Sequence, residues 1–114
     1  TWYHIALTRN SSNLMTFYVN GASVGSATTA SSYTQGALTV GNATGFAGYM
    51  SNIRITNTNV YTSAFTPSAT PLLPVSGTSL LTLQSNRIYD AGPNQFTLTN
   101  NGSTTMSYLS PFST

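Results

Sequence analysis

The sequence predicts an all-β fold, a sandwich or barrel of short antiparallel strands. Three observations point there. The 114 residues are rich in Thr (20), Ser (16) and Asn (11), with seven Tyr and five Phe, while Lys and Glu are absent. Thr, Tyr and Phe favour a pleated surface, and the helix formers Lys and Glu are missing. Short segments of alternating side chains recur along the chain, separated by Asn, Gly and Pro turn signals. No segment of helical period competes with them.

The first strand is read in Trp2-Tyr3-His4-Ile5-Ala6-Leu7-Thr8-Arg9. Tyr3, Ile5 and Leu7 fall on one face, with Trp2, His4, Ala6 and Thr8 on the other. Asn10-Ser11-Ser12-Asn13 supplies a turn, because Asn and Ser side chains bond their own backbone. Leu14 to Val19 forms the second strand. Asn20-Gly21 follows, and this dipeptide accepts the positive φ angles of a type I′ hairpin. Ala22 to Thr28 returns antiparallel. Residues 29–36 are a loop containing Tyr33, 37–41 a short strand, and 42–48 a glycine-bearing loop. Residues 49–56 alternate again and place Ile53 and Ile55 on the core face. Pro67, Pro71 and Pro74 remove ladder donors, so 66–77 reads as an extended crossover. Strands follow at 80–85, 95–100 and 106–112. Loops separate them at 86–94 and at Asn100-Asn101-Gly102. The length fits one domain over 1–114.

Charge is nearly absent. Arg9, Arg54, Arg87 and Asp90 are the whole set, 4% of the residues, for a net charge of +2. Three scattered arginines make no phosphate-binding stripe, which argues against nucleic acid as a partner. With no cysteine, disulfide frameworks and thiolate metal sites are excluded. No apolar run approaches the ~20 residues of a membrane-spanning helix.

The same scarcity limits chemistry. Glycoside hydrolysis takes two carboxylates flanking the bond, and the chain has one. A triad would need the single histidine, His4, with Asp90, yet no nucleophile-elbow sequence is present. His4 is expected to be a hydrogen-bonded structural residue of its strand. The chain is therefore read as no enzyme. Asp90, with Asn86 or Asn94 and backbone carbonyls, is the one candidate ligand set for Ca²⁺; the alternative is an Asp that caps the turn beside Gly92-Pro93. Tyr33, Phe46, Tyr61, Asn86, Tyr89 and Asp90 are the candidate ligand-binding residues, because ring faces and planar polar groups in loops suit sugars. Tyr108 shares that loop-like setting. Asn10, Asn42 and Asn101 open N-x-Ser/Thr triplets. A chain this rich in Asn, Ser and Thr generates such triplets by chance.

Five segments, in order, resemble one family. Trp2-Tyr3-His4-Ile5-Ala6-Leu7-Thr8-Arg9 with Phe17-Tyr18-Val19-Asn20-Gly21 is similar to the W-x-H-[IV]-A-x-x-R … F-V-N-G signature of LamG-like, concanavalin A-like jelly rolls. Gly48-Tyr49-Met50-Ser51-Asn52-Ile53-Arg54-Ile55 resembles its G-x-[IL]-S-N-[VI]-R-[IV] strand, and Tyr61-Thr62-Ser63-Ala64-Phe65-Thr66-Pro67 the tract after it. The tail, from Gly77-Thr78-Ser79-Leu80-Leu81 through Asp90, Gln95-Phe96-Thr97-Leu98-Thr99 and Ser110-Pro111-Phe112, resembles the variant in bacteriophage tail-fibre and bacterial surface proteins. The resemblance implies a jelly-roll sandwich and an extracellular or virion-surface location. It implies a structural or adhesion module that contacts glycans. It also implies strands ahead of the W-x-H strand, which the chain lacks. A neighbouring subunit or another segment is expected to supply them. The alternative function is accordingly a self-assembling filament subunit, a homo-oligomer polymerising by strand complementation across an open edge.

Overall fold

A computed structural model describes residues 1–32, 38–41 and 45–112. Five strands carry the architecture: β1 (Ile5–Arg9), β2 (Leu14–Val19), β3 (Ala22–Thr28), β4 (Ile53–Thr56) and β5 (Thr78–Thr82). β1, β2 and β3 form one antiparallel sheet in that order; β4 and β5 form a second, antiparallel pair. The described residues contain no helix.

The meander forms where its turn residues dictate. Asn10 Oδ1 accepts the amides of Ser12 at 2.9 Å and Leu14 at 3.0 Å, closing the first turn with its own side chain. Asn13 completes that turn at φ 63°. Asn20 and Gly21 have φ of 50° and 84°, both left-handed, as a type I′ turn requires. Gly21 is also pinned from outside. The Phe65 amide donates to its carbonyl at 3.0 Å, and a Cβ there would fall on the Phe65 carbonyl. Between β2 and β3 the register slips, with Tyr18 opposite Ser23 and Phe17 opposite Gly25. Val24 is left over as a bulge, which adds local twist.

The two faces of β1 have opposite fates. Trp2, His4, Ala6 and Thr8 are half-buried. His4 and the buried Tyr18 pack edge-on against Phe65, at 5.3 Å and 5.4 Å between ring centroids. On the opposite face Tyr3, Ile5 and Leu7 are 62%, 63% and 63% exposed. Among the described residues the buried apolar side chains are Tyr18, Leu80 and Leu81.

The second sheet is shorter than the alternation predicts. β4 starts at Ile53 and not at 49, because Asn52 adopts φ 56°, a geometry Asn tolerates and a ladder does not. Ile55, expected in the core, is 36% exposed. β5 covers Thr78–Thr82 in place of 80–85. It stops at Leu83, whose φ of 60° is an outlier for a bulky side chain. The Leu83 carbonyl turns instead to the Asn52 amide at 2.9 Å. The prolines at 67, 71 and 74 sit in a ladder-free stretch, as their missing N–H groups require. Asn52 Oδ1 accepts the Leu72 amide there, and Arg54 donates to the Leu73 carbonyl.

Three expected strands are not found. Of the expected 37–41, residue 37 lies outside the described residues; residues 38–41, 95–100 and 106–112 form no ladder among the described residues. For 95–100 the cause is local: Gln95 has φ 49°, and the Phe96 amide is diverted to Asp90. For the other two, alternation marks residues able to form a strand, and a ladder still needs a partner edge.

Candidate functional site

The loop after β5 is built on one buried carboxylate. Asp90 is 4% exposed. Its Oδ1 accepts the amides of Leu81 at 3.1 Å and Gly92 at 2.8 Å, and its Oδ2 accepts the Phe96 amide at 2.9 Å. Burial pushes the carboxyl pKa up. The three amides from Phe96, Leu81 and Gly92 outweigh it and hold the pKa below the usual carboxylate range. Glycine at 92 permits the approach, since a Cβ would lie 2.9 Å from Asp90 Oδ1. The Ala91 amide donates to the Leu81 carbonyl at 2.7 Å, and Asn94 Nδ2 to the Ser79 carbonyl at 3.0 Å. The loop is therefore fastened along β5.

That fastening presents three side chains outward. Asn86 and Arg87 are exposed and Tyr89 is 44% exposed. The Arg87 guanidinium lies 5.4 Å from the Tyr89 ring centroid, a cation–π pair that steadies both. The Arg87 amide donates to Ser85 Oγ at 3.3 Å. An aromatic face beside an amide and a guanidinium can stack on an apolar C–H surface and donate to hydroxyls.

Phe46 and Tyr61 lie elsewhere, on an open trough of about 2290 Å³ between β1 and the segment 46–62. Tyr61 is a strut there. Phe65 covers one of its faces at 3.7 Å, Arg54 donates to its hydroxyl at 3.3 Å, and His4 meets it edge-on at 6.0 Å. The His4 pKa is lowered by burial and by the charge of Arg54. The His4 amide donates to Asn20 Oδ1 at 2.9 Å, while its ring Nδ1 is buried without a partner among the described residues, like Asn59 Oδ1 on the same trough. The trough exceeds the ~300–1,000 Å³ of small-molecule pockets.

The structure thus divides the candidates. Asn86, Tyr89 and Asp90 share one loop; Phe46 and Tyr61 share the trough; Tyr33 and Asn42 lie outside the described residues. Asp90 accepts the Gly92 amide two residues on, the bond of a turn-capping Asp, and three of its acceptor positions are taken by amides. Among the described residues no group of three His, Cys, Asp or Glu could hold a metal. Asn10 uses its Oδ1 in the first turn, while Asn101 is exposed beside Gly102 at φ 81°. Sequence reasoning passed over Arg87, although its i, i+2 spacing from Tyr89 was a usable signal.

Among the described residues no helix is long and apolar enough to cross a membrane. No curated protein sequence and no solved structure matches the chain. The profile of the Laminin_G_3 family, described as the concanavalin A-like lectin/glucanases superfamily, matches residues 1–69. That span is more than half of the chain. It includes the β1–β3 meander, β4 and the Tyr61–Phe65 stack beneath them. The all-β antiparallel architecture agrees with the match, and the chain belongs to the concanavalin A-like lectin/glucanase superfamily, in its laminin-G-like family.

Proposed function

We propose that this chain is a non-catalytic adhesion module of an extracellular fibre or virion surface, contacting glycans through Asn86, Arg87 and Tyr89. The observation that carries the reading is the exposed Tyr89 ring, paired with Arg87 on a loop that Asp90 fixes. A rigid platform loses little conformational entropy when a sugar stacks on it. The lack of catalysis is supported by the state of the single carboxylate. Asp90 is buried and bonded to three amides, so it is poorly placed to move a proton to or from a substrate. The superfamily's lectin members make glycans the natural ligand class.

The test is a glycan array probed with the wild-type chain and with Tyr89→Ala. Binding to a defined subset of glycans, lost at least tenfold in Tyr89→Ala with unchanged circular dichroism, is the expected result. No binding by the wild type would overturn the reading, as would equal binding by both.

A further inference from the structure

The chain holds two Asn-Gly dipeptides, Asn20-Gly21 and Asn101-Gly102. In sequence they are near-equal. In each, a glycine amide that no Cβ screens follows an asparagine side-chain carbonyl. Attack of that nitrogen on the asparagine Cγ closes a five-membered succinimide. The N–Cγ bond forms, the Cγ–Nδ2 bond breaks, and the glycine proton leaves with the amide as ammonia. Water then opens the ring to aspartate or isoaspartate. No enzyme and no oxidant is needed. The reaction does require an asparagine side chain free to turn and a glycine peptide free to rotate toward it.

The structure separates the two sites. Asn20 Oδ1 accepts the His4 amide at 2.9 Å, and the Asn20 amide donates to the His4 carbonyl at 2.8 Å. Gly21 is buried, its carbonyl accepts the Phe65 amide at 3.0 Å, and the Phe65 carbonyl stands where a Cβ would be. Rotating the Asn20-Gly21 peptide therefore means breaking the end of the β1–β2 ladder and its bond to Phe65. Such a site reacts only through local opening, at a rate scaled down by the small open fraction. Asn10, which precedes Ser11, is held in a similar way, its Oδ1 accepting the amides of Ser12 and Leu14.

Asn101-Gly102 has none of these restraints. Both residues are exposed and lie in no ladder. The Asn101 side chain and the Gly102 amide make no hydrogen bond among the described residues. A Cβ on Gly102 would meet nothing within 4 Å, so the peptide has room to rotate. The turn is held by Asn100 Nδ2, which donates to the Thr104 carbonyl at 3.0 Å. That bond spans Asn101 and Gly102 without engaging either.

We infer that Asn101 is a self-modification site, converting in the folded chain through a succinimide with Gly102 to aspartate and isoaspartate, while Asn20 is protected. The product adds one carboxylate to a chain with a single acidic residue and takes the net charge from +2 to +1. The isoaspartate form also routes the backbone through the side chain and lengthens the turn by one methylene. Asn86, Arg87 and Tyr89 take no part, so the inference stands or falls independently of glycan binding.

The experiment is a time course of the purified chain in mildly alkaline buffer, folded and in urea. Cleavage after Arg9, Arg54 and Arg87 puts Asn20 in fragment 10–54 and Asn101 in fragment 88–114. Tandem mass spectrometry locates the exchange of NH for O, and a protein isoaspartyl methyltransferase labels the isoaspartate. In the folded chain Asn101 is expected to convert at least tenfold faster than Asn20. In urea, which releases Asn20, the gap is expected to close. Asn101→Gln, which would need a larger ring, should stop conversion at 101, and Gly102→Ala should slow it at least tenfold. A folded chain that keeps Asn101 intact, or converts it no faster than Asn20, overturns the inference. So does a gap that persists in urea, since it would belong to the flanking residues and not to the fold.

Discussion

Replacing Asp90 with Asn changes one atom and should unfasten the loop. The carboxylate accepts three buried amides between 2.8 and 3.1 Å. Asn retains one acceptor oxygen, enough for Leu81 and Gly92. It then presents an NH₂ group to the Phe96 amide, donor against donor. Losing a charge-assisted bond and leaving that amide unsatisfied costs about 2–3 kcal/mol. Asp90→Ala leaves all three amides bare and should cost about 3–6 kcal/mol. Urea unfolding followed by Trp2 fluorescence, the only tryptophan, measures both. The pH dependence supplies a second signature. The folded pKa is depressed, so the carboxylate's contribution is present above its ordinary value of 3.8. It is lost as pH falls through the lower folded value. Asp90→Asn should lack that acid limb. A loss under ~0.5 kcal/mol, with the limb intact, would refute the assignment of Asp90 as the fastening group.

Other outcomes follow from single residues. His4 has a lowered pKa from burial and Arg54, so the unfolded chain takes up its proton first and stability falls as pH drops below 6.5; His4→Phe should flatten that slope in unfolding titrations between pH 7 and 5. Gly77 sits at φ 84°, where a Cβ would meet Asn57 and Thr58. Gly77→Ala should therefore lower stability by about 1–3 kcal/mol, read by the same urea assay. Gly25, whose Cβ would meet nothing within 4 Å, should accept Ala with a change under ~0.5 kcal/mol.

The first sheet was legible because its signals are local. Asn20-Gly21 dictates a turn by φ alone, Asn10 closes another with its own side chain, and the alternation between them fixes the faces. The errors lie where a distant partner decides. Nothing in the sequence announces that Leu83 takes a left-handed conformation to offer its carbonyl to Asn52. Nor does the alternation of Phe96 and Leu98 reveal that the Phe96 amide is claimed by a carboxylate six residues earlier. The turn-capping reading of Asp90 was available from Gly92, but its bonds to Leu81 and Phe96 depend on the fold. Tyr61 looked like a sugar platform by residue type; Phe65, stacked at 3.7 Å, covers one of its faces, and Arg54 takes its hydroxyl. Tyr89 kept its exposure because Asp90 holds the loop from beneath.

The central claim is that recognition occurs at the loop and not in the trough. Chemical-shift mapping by NMR, with a glycan that binds the array, tests it most directly. The account predicts perturbations at Asn86, Arg87 and Tyr89, with Phe46 and Tyr61 unmoved. Perturbations confined to Phe46, Tyr61 and the trough would contradict it.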